Sequence, residues 1–142
     1  MNQSLNEIAI KVANNCGLEF NIIKNDPVEI VFGNDENGDV GISADGNELT
    51  VYGCGGHRHY LSDYDNRYSV EENIREMTEI IVGIMNCEWV CWGAFTKDNI
   101  PVCGSLCRRD KIDIGKILND YKSDYLIVNI FNKQSYKLTN IA

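Results

Sequence analysis

A cysteine and two histidines occupy one short stretch of this chain. The stretch reads Cys54-Gly55-Gly56-His57-Arg58-His59 and contains both histidines of the protein. Thiolate and imidazole groups are zinc ligands, and Asp63 or Asp65 could supply a fourth ligand. The same residues could form a thiol nucleophile with a histidine base. Because the spacing matches no zinc pattern and the sequence shows no third group to orient the base, we interpret the stretch as a loop.

Four further cysteines form two C-x-x-x-C spacings: Cys87, Cys91, Cys103 and Cys107. They flank the turn residues Lys97-Asp98-Asn99, which predict a β-hairpin. With the turn centred on Asp98, all four thiols share one face of the ribbon, since side chains alternate between the faces of a strand. That face could hold zinc, but zinc ribbons carry tighter C-x-x-C knuckles. We interpret the cysteines as free thiols packed in an apolar core.

The charge of the chain is distributed unevenly along its length. Residues 1–96 carry 5 basic and 16 acidic side chains, a net of −11, whereas residues 97–142 carry 8 basic and 5 acidic, a net of +3. The formal net charge is −8. Such a surface attracts cationic partners and repels nucleic acid. With no catalytic motif beside it, the pattern predicts a binding protein and no enzymatic activity.

A tyrosine-rich segment and an acidic loop are the predicted partner-binding residues. Tyr and Arg anchor many protein interfaces, and acidic loops draw a basic target electrostatically. The residues are Tyr60, Asp63, Tyr64, Asp65, Arg67, Tyr68, Asp35, Glu36 and Asp39. The alternative for the tyrosines is that they fold back onto the core. We expect a protein partner, no nucleic acid, no membrane and no cofactor, with the chain a monomer or a homodimer.

The one basic cluster lies late in the chain. Its members are Arg108, Arg109, Lys111, Lys116 and Lys122. They could contact phosphate, but the sequence pI of about 4.7 argues against nucleic-acid binding. We expect these side chains to pair with carboxylates of the chain or to be solvated.

The hydrophobic pattern predicts a single α+β domain spanning residues 1–142. Capping boxes at Ser4 and Ser69 begin helices over 5–16 and about 70–86, and Asp113 begins a short third helix. Strand patterns, with Asp45-Gly46 as a type I′ turn, give the order α-ββββ-α-ββ-α-ββ. Tight turns between successive strands favour a mostly antiparallel sheet, which about three helices cover in a second layer. The chain shows neither a secretory signal nor an apolar span of about 20 residues, which predicts a cytoplasmic protein.

A small acidic α+β chain with Asp/Glu-rich strand loops, Tyr60, Tyr64 and Tyr68, and no catalytic set resembles the bacterial immunity proteins of contact-dependent inhibition and polymorphic toxin systems. The resemblance implies a protein that binds one toxin and blocks its active site. Many such toxins are basic nucleases, so the expected partner is a basic toxin domain. Two alternatives stay open. One is a small metal-dependent or thiol enzyme using Cys54, His57 and His59, and the other is an acidic secretion chaperone.

Overall fold

The computed structural model describes residues 4–33, 39–61, 69–131 and 134–139. Within these ranges the chain forms three α-helices and nine strands, and the strands pair antiparallel in two sheets. The predicted α+β class is confirmed. The chain divides into two compact units: a first unit of Met1–Gly53 and His57–Val82, and a second unit of Cys54–Gly56 and Gly83–Ala142. The assignment of residues 1–142 to a single domain stays a prediction.

The first sheet follows the first helix in the chain. Helix α1 is Leu5–Cys16. The strands are β1 (Phe20–Asn25), β2 (Val28–Phe32), β3 (Val40–Asp45), β4 (Glu48–Gly53) and β5 (Gly56–Tyr60), and they lie in the order β1-β2-β3-β4-β5. Helix α2 is Val70–Met85. Strand β5 occupies residues that we interpreted as a loop, and that interpretation is wrong for Gly56–Tyr60.

Both predicted capping boxes begin a helix. The backbone N–H of Glu7 donates to the Ser4 hydroxyl at 3.2 Å, and the N–H of Glu72 donates to the Ser69 hydroxyl at 3.1 Å. Each bond satisfies a backbone donor that the first turn of a helix leaves without an intrahelical partner. Gly17 ends α1 in the left-handed conformation at φ 64°, which a residue without a Cβ adopts at little cost.

The inner face of the first sheet forms the core of the first unit. The inward-facing side chains of β2, β3 and β4 are buried, including Ile30, Ile42 and Val51 at 0% exposure. The apolar faces of the helices are buried as well. Their buried residues in this unit are Ile8, Ala9, Val12 and Ala13 of α1 and Ile74, Met77, Ile80 and Ile81 of α2.

The turn between β3 and β4 differs from the predicted one. Asp45 pairs with Glu48, so the two central residues are Gly46 and Asn47 instead of Asp45 and Gly46. Of these two, Gly46 has a positive φ, at 47°. A glycine with positive φ at the first central position is typical of a type II′ turn, so the type I′ prediction is wrong.

The second unit contains the other sheet and a short helix. Its strands are β6 (Trp89–Phe95), β7 (Pro101–Arg108), β8 (Tyr125–Ile130) and β9 (Gln134–Thr139), in the order β7-β6-β8-β9. A 3₁₀ turn (Arg109–Lys111) and helix α3 (Ile114–Asp120) connect β7 to β8. Asp113 caps α3 as predicted, since its carboxylate accepts the backbone N–H of Lys116 at 3.1 Å. Leu118 of α3 packs with Trp92, Leu126 and Val128 in the core of this unit.

The register of the β6–β7 hairpin differs from the predicted one by a single residue. Cys91 lies opposite Leu106, Cys103 opposite Ala94, and Cys107 opposite Val90. A shift between Ala94 and Phe95 moves the pairing along by one position, and a shift of one residue sends side chains to the other face. Cys103 and Cys107 therefore pack against the core, whereas Cys91 lies on the opposite face. The shared four-cysteine face is not formed.

Candidate functional site

Most of the charge of the protein belongs to the first unit. By sequence, that unit carries 15 acidic and 5 basic side chains, a net charge of −10, whereas the second unit carries 6 acidic and 8 basic, a net charge of +2. The division of the fold thus coincides closely with the charge asymmetry of the sequence. A surface that binds a cation is therefore expected on the first unit.

Strand pairing collects polar side chains on the side of the first sheet that faces away from its core. Glu29 pairs with Ser43, Ser43 with Thr50, and Asp45 with Glu48, so these side chains share one face. Tyr52 of β4 and His57 and His59 of β5 follow the same alternation. We call this set the outer sheet face: Glu29, Ser43, Asp45, Glu48, Thr50, Tyr52, His57 and His59. Each member is exposed or half-buried.

On the outer sheet face, several polar side chains contact His59. The Nδ1 atom of its ring lies 3.0 Å from the Glu48 carboxylate and 3.0 Å from the Thr50 hydroxyl. The ring of His57 meets the ring of His59 edge-on, with centroids 4.9 Å apart. Two imidazoles and a carboxylate can together bind hydrogen-bond donors or a positive charge.

Tyr52 and Glu29 form a second contact across the same face. The Tyr52 hydroxyl donates to Oε1 of Glu29 at 3.2 Å. Tyr52 is on β4 and Glu29 is on β2, so the ring must cross β3 between them. A Cβ at Gly41 would overlap the Tyr52 hydroxyl, so glycine at this position leaves the space for the ring. Burial, and next the charge of Glu29, raise the pKa of Tyr52 to about 12.

Two of the predicted partner-binding residues lie in the described part of the chain. Tyr60 is 8% exposed, and its hydroxyl donates to Glu76 of α2 at 2.9 Å. Burial and this bond raise the pKa of Tyr60 above its ordinary range. Arg58 also contacts Glu76, at 3.4 Å. Tyr60 thus packs into the first unit and offers little surface to a partner. This placement agrees with the alternative in which the tyrosine folds back onto the core.

The first sheet separates Asp39 from Tyr60. Asp39, the other described residue of the set, directly precedes β3 at one end of the sheet, whereas Tyr60 ends β5 at the other end. The length of β3, 6 residues or about 20 Å at 3.3 Å per residue, separates these ends. Seven residues of the set lie outside the described residues: Asp35, Glu36, Asp63, Tyr64, Asp65, Arg67 and Tyr68.

Most of the outer sheet face was not predicted from the sequence. Its signal was the alternation of Glu48, Thr50 and Tyr52 with the buried Leu49 and Val51 in β4. That alternation identified a strand, but it did not mark the polar positions as a site. His57 and His59 lie beside these residues because β5, which carries both histidines, is the neighbour of β4 in the sheet.

The six thiols are half-buried and form no disulfide bonds. Burial raises the pKa of the Cys16 thiol to about 11 and raises the pKa of the Cys91 thiol as well, which opposes formation of a nucleophilic thiolate at neutral pH. Among the described residues, no group of three or more His, Cys, Asp or Glu side chains is placed to hold a metal ion.

The described helices are also too short or too polar to span a bilayer. In the basic cluster, Arg108 pairs with Asp110 at 3.3 Å, as expected for a charge satisfied within the chain.

No family model, curated protein or solved structure matches this chain.

Proposed function

We propose that this protein is a non-catalytic, cytoplasmic binding protein that neutralises a basic bacterial toxin domain by covering the toxin's active site. The observation that carries the proposal is the net charge of −10 on the first unit, with an outer sheet face that presents Glu29, Asp45 and Glu48. The general character of the chain, which resembles that of bacterial immunity proteins, supports the same function.

Charge complementarity supplies the mechanism of recognition. A toxin that acts on nucleic acid carries a positive groove, and a negative protein surface can occupy that groove in place of the phosphates. Complementary potentials accelerate encounter and reject partners of like charge. The outer sheet face suits this role because paired strands hold its carboxylates at fixed spacings.

Growth protection tests the proposal. We expect a gene for a basic toxin domain to adjoin the gene of this chain, and bacteria that express that domain should survive when the chain is co-expressed. The double variant Asp45→Asn, Glu48→Gln should weaken binding by about fivefold to twentyfold, since each exposed charge contributes roughly 0.2–1 kcal/mol or somewhat more at an interface. The matched control is Asp98→Asn, Asp120→Asn, which removes two exposed charges from the second unit and should bind as the wild type does.

The enzyme alternative gives a different result in the same assay. A thiol or metal mechanism built on Cys54 requires its sulfur. We expect the isosteric variant Cys54→Ser to protect cells as well as the wild type. A folded Cys54→Ser protein that no longer protects would favour the enzyme over the binding protein.

A further inference from the structure

A groove of about 370 Å³ opens into the core of the second unit. Its floor is formed by Val128 and Ile130 of β8, which are 4% and 3% exposed. Half-buried Ile112, Ile114 and Leu138 form its walls. We call this cavity the core groove. Its volume lies near the lower end of the range of small-molecule sites, about 300–1,000 Å³, and such sites are mostly apolar.

The length of α3 explains why the core groove exists. The helix has 7 residues, which span about 10 Å at 1.5 Å per residue. Strand β8 has 6 residues and spans about 20 Å. Leu118 of α3 is buried in the apolar cluster of this unit, whereas Ile114 of the same helix lines the groove with Ile130 and Tyr136. A helix shorter than the strand therefore leaves part of the sheet uncovered.

A single charged residue lines the core groove. Arg109 of the 3₁₀ turn is exposed at its edge, and within the described residues its guanidinium has no hydrogen-bond or ion-pair partner. The adjacent Arg108, in contrast, pairs with Asp110 at 3.3 Å. An unpaired guanidinium beside an aliphatic cavity is complementary to a ligand with one anionic end and an apolar body.

We propose that the core groove binds a medium-chain fatty acid, with the carboxylate against Arg109 and the hydrocarbon chain over Val128 and Ile130. The carboxylate accepts N–H donors of the guanidinium, and the chain removes aliphatic side chains of the core from water. The positive net charge of the second unit favours the anion, although the whole protein is acidic. This site does not depend on the proposed toxin binding, which uses the first unit.

Titration with dodecanoate tests the site. Isothermal titration calorimetry, run below the micelle concentration, should show one-to-one binding. Isoleucine methyl NMR should show shifts at Ile112, Ile114 and Ile130 and none at Ile23, which is exposed on β1. Affinity should rise by about threefold per methylene from octanoate to dodecanoate, until the groove is filled.

Two arginine variants separate the charge from the apolar contribution. Arg109→Gln should weaken dodecanoate binding by about tenfold, whereas the neighbouring Arg108→Gln should leave it unchanged. Dodecanol should bind the wild type and Arg109→Gln equally, because it carries no charge.

Three results would overturn the proposal. They are the absence of one-to-one binding, equal effects of the two arginine variants on dodecanoate, and methyl shifts that avoid the three groove isoleucines. Both arginine side chains are exposed, so the variants should fold, and circular dichroism verifies this. Loss of fatty-acid binding with intact growth protection would leave the proposed function standing.

Discussion

The Nδ1 atom of His59 lies 3.0 Å from Oε1 of Glu48 on the outer sheet face. The two residues come from neighbouring strands, and the Thr50 hydroxyl lies 3.0 Å from the same nitrogen. Pairing of β4 with β5 thus holds the imidazole against the carboxylate, on the face that we propose meets a basic partner.

Tyr52 should make stability depend on alkaline pH. Its folded-state pKa is raised to about 12, whereas an unfolded tyrosine ionises near pH 10. The stabilising contribution is present in full below about pH 10 and is lost as the pH rises through about 12. Urea unfolding at about pH 8 and about pH 11 should show a smaller loss for Tyr52→Phe than for the wild type. An unchanged loss in the variant would contradict the raised pKa of Tyr52.

Gly56 and Cys91 should behave as a coupled pair. A Cβ at Gly56 would lie 2.7 Å from Sγ of Cys91 and 3.2 Å from its Cβ. Gly56→Ala should therefore destabilise the protein by about 1–3 kcal/mol through overpacking. In a Cys91→Ala background the same substitution should cost less, because the sulfur is gone. Equal costs in the two backgrounds, measured by urea unfolding, would show that the two residues do not contact.

Ile81 tests the assignment of the long helix. The residue is 0% exposed on α2, so Ile81→Ala should lower the free energy of unfolding by about 2–5 kcal/mol. Ile23→Ala is the matched control, because Ile23 is 58% exposed on β1 and its truncation should change stability by less than about 0.5 kcal/mol. Similar effects of the two substitutions would contradict the predicted helix face.

The helices could be predicted because their signals are local. Ser4, Ser69 and Asp113 each cap a helix with a side chain that reaches a backbone N–H three residues ahead. The apolar spacing behind each cap identifies the buried face. Such patterns need no knowledge of distant contacts, which is why the α+β class was predicted correctly.

The sheets were harder to predict because their details depend on distant pairing. The shift between Ala94 and Phe95 that separates Cys91 from Cys103 is not visible in the hydrophobic pattern. Strand β5 carries glycine, histidine and arginine, so its sequence lacks the apolar alternation of a strand. Its formation depends on the adjacent β4, and the group formed by Glu48, Thr50 and His59 therefore could not be predicted from sequence.

The affinity of this chain for a basic toxin domain, the partner that we propose, tests the central claim most directly when it is measured across a salt series. We expect a one-to-one complex that inhibits the toxin, with a Kd that rises steeply between about 0.05 M and about 0.3 M salt as the charges are screened. A complex of the same affinity at every salt concentration, or no complex at the lowest one, would contradict recognition by the acidic first unit.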